Sequence, residues 1–108
     1  MTVYDLSKNS QFNVLTMPEP ERQIDGVYIG DLLSWVMGRA QCDNVWITIM
    51  SNINVIAVAS LSDVSCVLLA EDVTLDNEVL ETAKAKGVNI LSTPLAAYEA
   101  ALKVSGII

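Results

Sequence analysis

Val45-Trp46-Ile47-Thr48-Ile49-Met50-Ser51-Asn52-Ile53-Asn54-Val55-Ile56-Ala57-Val58-Ala59-Ser60 decides how the chain is read. It contains no charged residue. Val45 to Met50 is apolar or small on both alternating faces, the pattern of a central strand covered on both sides. The polar break Ser51-Asn52-Ile53-Asn54 follows, and then a second apolar run. Ile53 to Leu61 fits two elements. Its β-branched residues favour a strand. Its alanines, with Asn52 and Asn54 as capping residues, favour a helix starting just after the break.

Outward from this centre, short elements alternate. Upstream, Thr2 to Lys8 reads as a helix with Thr2 as cap and Asp5 in its first turn. Phe12 to Thr16 and Ile24 to Ile29 read as strands, separated by the loop Pro18-Glu19-Pro20-Glu21. A helix is expected from Gly30-Asp31 through Arg39, with Leu33, Val36, Met37 and Ala40 inward. Trp35 falls on another of its faces, either half-covered by the next layer or at a subunit interface, where tryptophan is enriched. Downstream, Cys66 to Ala70 is a buried strand. Asp76 opens a helix that Gly87 stops after Lys86. Val88 to Ser92 is a strand. Thr93-Pro94 reads as a cap and a first-turn proline before a last helix to about Val104, with Leu95, Tyr98 and Leu102 on its inner stripe. Strand–helix alternation predicts an α/β fold: an α/β/α layered sandwich on a mostly parallel sheet of about five strands. The 108 residues fit a single domain spanning 1–108.

Composition narrows the function classes. The formal net charge of −7 sets the chain against nucleic acid and against anionic membranes. Lack of histidine removes the commonest general base and metal ligand. Cys42 and Cys66 form no CxxC pair, and Cys66 lies in an apolar run as a small buried thiol. Neither a metal site nor a cofactor is expected. No basic-then-apolar leader opens the sequence, and no apolar run reaches the length of a membrane span, so a cytoplasmic location is expected. The glycines are scattered, which excludes a dinucleotide fingerprint, and no Gly-Lys-Ser or Gly-Lys-Thr occurs. The chain is not expected to be an enzyme. The one candidate site is the loop Ser51, Asn52, Asn54, joined by Thr93 at the end of another strand. Backbone N–H groups at such a helix start hold small anions; the competing reading is that these residues only cap turns.

Four segments together carry a family resemblance: Gly26-Val27-Tyr28-Ile29-Gly30-Asp31-Leu32-Leu33-Ser34, Val45 to Ile49, Asn52 to Leu61, and Gly87-Val88-Asn89-Ile90-Leu91-Ser92-Thr93. Over nearly its whole length the chain resembles the DRTGG domain, a module similar to the N-terminal domain of HPr kinase. Such domains accompany phosphotransacetylases and CBS-domain pyrophosphatases, and also stand alone in clostridial and related bacteria. The resemblance implies a stand-alone, non-catalytic regulatory or protein-interaction module, homodimeric or bound to a protein partner. The alternative is a sensor of a nucleotide or phosphorylated metabolite. It also implies the helix reading after Asn52. The Asp-Arg-Thr-Gly-Gly motif that names the family is replaced here by Ser51-Asn52-Ile53-Asn54, which removes both of the motif's charges from that loop.

Overall fold

The computed structural model describes residues 1–107. In chain order the elements are α1 (Val3–Ser7), β1 (Asn13–Thr16), β2 (Val27–Ile29), α2 (Leu33–Arg39), β3 (Val45–Thr48), α3 (Asn54–Ser62), β4 (Cys66–Leu69), α4 (Asn77–Lys86), β5 (Ile90–Ser92) and α5 (Ala97–Ile107). The five strands form one sheet in the order β1-β5-β4-β3-β2. β2 to β5 run parallel, and β1 closes one edge antiparallel to β5 with a register shift between Val14 and Thr16. The sheet is therefore mixed and mostly parallel, and the expected α/β/α layering is present.

Strand alternation sorts the core into two layers. Trp46, Val67, Leu69 and Ile90 face one side, where Val36 of α2, Val55, Ile56, Val58 and Ala59 of α3, and Val79 and Ala83 of α4 cover them. Val45, Ile47, Cys66, Leu68 and Leu91 face the other, under Val3 and Leu6 of α1 and Ala100 and Val104 of α5. β3 and β4 are buried along their whole length, as a double-covered parallel strand requires.

Several local expectations hold. Thr2 and Asp5 form a reciprocal capping box on α1. The Thr2 backbone N–H donates to the Asp5 carboxylate at 3.0 Å, and that bond leads the causes holding Asp5 below its ordinary range. Gly87 ends α4 with φ 71°, a conformation glycine takes freely. Residues 54–62 are helix, ended by Asp63 in the left-handed region.

Others are corrected. α2 starts at Leu33, not at Asp31, because the Asp31 carboxylate is drawn to β3 instead. On α2 only Val36 is fully buried, and Met37 is exposed. Asp76 occupies the N-cap of α4 without a side-chain capping bond. On α5 the inner stripe is Ala97, Ala100, Ala101 and Val104, while Tyr98 and Leu102 face outward. Small side chains let α5 lie close on the sheet, and that closeness decides which face turns in. Pro94 lies before α5, not in its first turn.

Two polar clamps fasten the N-terminal segment to the parallel unit. The buried Asn89 donates to Glu19 O at 2.7 Å and Ser65 O at 3.0 Å. Its Oδ1 accepts from Glu19 N at 2.8 Å. Arg22 pairs with Asp43 at 2.8 Å and with Asp63 at 3.0 Å. The two cysteines differ sharply. Cys42 is exposed and its thiol donates to Asp63 Oδ2 at 3.3 Å, whereas burial pushes the Cys66 thiol up to about 12. A thiol reagent at pH 8 is expected to label one cysteine in the native chain and the second only in denaturant. Two equivalents labelled at one rate without denaturant would contradict the burial of Cys66.

Candidate functional site

The carboxyl ends of parallel strands gather loops on one edge of a sheet, and ligands of α/β folds bind there. In this chain that edge collects Gly30 to Leu32 after β2, Ile49 to Ile53 after β3, Ala70 to Asp72 after β4, and Thr93 to Ala96 after β5. Ser51, Asn52, Asn54 and Thr93, named from sequence alone, all lie on it.

The loop after β3 is held from beneath. Thr48 Oγ1 donates to Asp31 Oδ1 at 2.8 Å, and Ile49 N donates to the same oxygen at 3.1 Å. Thr48 Oγ1 in turn accepts from Met50 N at 3.2 Å. One threonine and one aspartate thus tie the ends of β2 and β3 together. Buried Trp46 adds a third tie, its Nε1 donating to Gly30 O at 2.9 Å. At the head of α3, Asn52 Oδ1 accepts from Asn54 N at 2.9 Å. Val55 N and Ile56 N donate to the Asn52 and Ile53 carbonyls, each at 3.1 Å. The N–H groups of residues 54 to 56 are therefore engaged within the chain. An anion at this helix start would have to displace the Asn52 side chain.

Thr93 stands apart from that loop. β4 lies between β3 and β5, which separates the two strand ends by roughly 10 Å at the usual interstrand spacing. Thr93 is fully buried, and its Oγ1 accepts from Leu95 N at 3.2 Å. Its backbone N–H donates to Leu69 O, and its carbonyl accepts from Asp72 N. Ser51 is half-buried, while Asn52 and Asn54 are exposed. The structure thus brings Ser51, Asn52 and Asn54 together at the surface and leaves Thr93 as an internal brace one strand away.

α4, which follows β4, covers one face of the sheet and α5, which follows β5, the other, so the loops leaving these two neighbouring strands part to opposite sides. That point is closed. Glu71 N donates to Leu95 O at 2.9 Å and Asp72 N to Thr93 O at 3.0 Å, lacing the two loops together. Glu71 and Asp72 adopt φ of 58° and 60° to do so, a left-handed pair that ordinary residues enter at some cost. The loops of this edge carry Asp31, Glu71 and Asp72 and no lysine or arginine, so the edge is electronegative. Among the described residues the surface has no concave pocket. No group of three or more acidic or cysteine side chains there is placed to hold a metal ion. Among the described residues no helix is long and apolar enough to cross a membrane.

Trp35 is half-exposed on α2, and the Arg39 guanidinium lies 4.1 Å from its ring centroid. The ring therefore offers one covered and one open face. Sequence reasoning missed Asp31 and Thr48 as the brace of this edge. Their contact spans 17 residues and has no local signature.

Three comparisons bear on these features. The model of the DRTGG domain family matches residues 6–107. A comparison with curated proteins gave no match. Among solved structures, the chain is similar to the CBS and DRTGG domains of the regulatory region of Clostridium perfringens pyrophosphatase, solved in complex with its activator, diadenosine tetraphosphate. The identity is 15% and the TM-score 0.68, over 86% of this chain and 41% of that one. The chain thus spans less than half of that structure, and at such identity the likeness is one of fold.

Proposed function

The chain belongs to the DRTGG domain family, and from that premise we propose that residues 1–108 act as one domain, a non-catalytic regulatory or protein-interaction module of the bacterial cytoplasm that works as a homodimer. The observation that carries this reading is the state of the sheet's carboxyl edge. Its polar side chains hold loops: Asp31 on Thr48 and Ile49, Asn52 on Asn54, Thr93 on Leu95. Groups engaged in this way serve architecture and are not free to move protons or attack a substrate. A half-exposed tryptophan under an arginine suits a protein contact, and Trp35 is proposed to lie in or beside it. Light scattering on the whole chain is expected to give about twice the 11.7 kDa of one copy. A clean monomer at high concentration would overturn the homodimer.

A second reading is favoured by one observation, the nucleotide activator of the Clostridium perfringens regulatory region. Under it Ser51, Asn52 and Asn54, with Thr93 behind them, form part of a sensor for a nucleotide or phosphorylated metabolite. Diadenosine tetraphosphate at a hundred times its dissociation constant would stabilise the fold by about 2.7 kcal/mol, a readily measured rise in melting temperature. Ser51→Ala or Asn52→Ala should abolish the rise. If adenine mono-, tri- and dinucleotides all leave the melting temperature unchanged, the sensor reading fails.

A further inference from the structure

α3 is free of charge on every side, its exposed polar residues being Asn54 and Ser60. Val55, Ile56, Val58 and Ala59 enter the core. The opposite side carries Ile53, at the cap, then Ala57 and Leu61, spaced four residues apart and all exposed. Leu61 is 72% exposed, more than any other large hydrophobic residue described. No charged residue occurs from Asn54 to Ser62. Surface helices ordinarily carry a charged back, so an uncharged exposed side bearing a large apolar stripe points to a covering surface. α4, on the same face of the sheet, follows the rule with Glu78, Glu81, Lys84 and Lys86 exposed. α2, packed beside α3, follows α3: it exposes Trp35 and Met37, its cap Leu32 is exposed as well, and it contains no acid.

We infer that the Ile53–Ala57–Leu61 stripe is the surface on which a second copy of this chain packs, α3 against α3, antiparallel and crossing at Ala57. The inference rests on the homodimer reading and adds its surface. Two features select a second copy as the occupant. The stripe is self-complementary: it reads large, small, large about Ala57. Turned about a two-fold axis through that point, Ile53 of one copy falls beside Leu61 of the other, and the paired alanines admit close approach of the backbones. Charge selects in the same direction. Two chains of net charge −7 repel wherever acid meets acid, and this helix pair presents no carboxylate. Its one charge is Arg39, stacked on Trp35. Asp63, just past the end of α3, shares the Arg22 guanidinium with Asp43.

Sedimentation of the whole chain tests this. Ala57→Glu and Leu61→Glu are each expected to halve the dimer mass while circular dichroism stays that of the wild type. Ala85→Glu, on the exposed side of α4, should leave the dimer intact. Cross-linking reads the geometry independently of any loss of folding. In a Cys42→Ser background, Ala57→Cys should form a copy-to-copy disulfide under mild oxidation, and Ala85→Cys should not. A wild-type dimer that survives both glutamates and yields no Ala57→Cys cross-link overturns this surface and leaves the homodimer standing. A wild-type monomer at millimolar concentration overturns both.

Discussion

Trp46→Ala is expected to cost about 4–5 kcal/mol, the upper end for removing a large aromatic from a core. Trp46 is fully buried at the centre of the sheet, in register with Tyr28 of β2 and Val67 of β4. Truncation leaves a cavity walled by Val36, Val55 and the other residues of that layer, none of which is long enough to fill it. It also removes the Nε1 donor from Gly30 O. A domain of this size holds roughly 5–15 kcal/mol in total, so the substitution consumes a large share of it. The melting temperature should fall by about 20 °C, at roughly 4 °C or more per kcal/mol. Trp46→Phe keeps most of the volume and loses only the donor, so about 2 kcal/mol is expected. Equal losses for the two variants, measured by urea melts at constant m, would show that the cavity is not what costs.

Asn89→Leu should cost about 3 kcal/mol, although a leucine at that buried position just before β5 satisfies every apolar rule. Asn89 makes three hydrogen bonds to main-chain atoms, two with Glu19 and one with Ser65. Removing the amide strands all three partners at about 1–3 kcal/mol each when buried. Water relieves Glu19, which is exposed, but not Ser65, which is buried. Asn89→Asp should be worse at neutral pH, because a carboxylate would face two carbonyl oxygens with no donor between them. That variant should recover as the pH falls through the carboxylate range, since its folded form favours the protonated acid. Urea melts at pH 4 and pH 7 give the test: an Asn89→Asp penalty that does not shrink toward pH 4 would mean that the carboxylate is solvated.

The same residues mark what a reader of the sequence can and cannot see. α1 was legible because Thr2 and Asp5 are three apart and their contact is local. β3 and β4 were legible because burial on both faces leaves an unbroken apolar run. α3 was not settled by its own residues, since Val and Ile at core positions suit either element; the family resemblance decided it. α5 was misread in orientation. Tyr98 and Leu102 advertise a core stripe by size, yet the sheet takes the alanine face, a choice made by the distance between layers. At the candidate site, the sequence marks Asn52 as a helix cap; the cap position is Ile53, and the Asn52 side chain instead closes a turn onto Asn54 N just ahead of the helix. The burial of Thr93 was not legible, because it depends on Leu69 and Asp72 from the neighbouring strand and loop. Asn89 gave no signal at all: the sequence reads it as the polar position of a strand from Val88, whereas β5 begins at Ile90 and Asn89 turns inward just before it.

The pairing of β1 with β5 has a consequence for how the chain is made. β2 to β5 each pair with the strand next to them in sequence, so the parallel unit can zip up as it emerges. β1 finds its only sheet partner at Ile90–Ser92, and Glu19 finds Asn89 seventy residues later. The first strand synthesised is therefore the last to be secured. Until then β1 has no strand beside it, and the entropy of closing so long a loop falls on the final step. A growing chain halted before Ile90 would display β1 as an unpaired strand, the kind of edge that invites a chaperone or a protease.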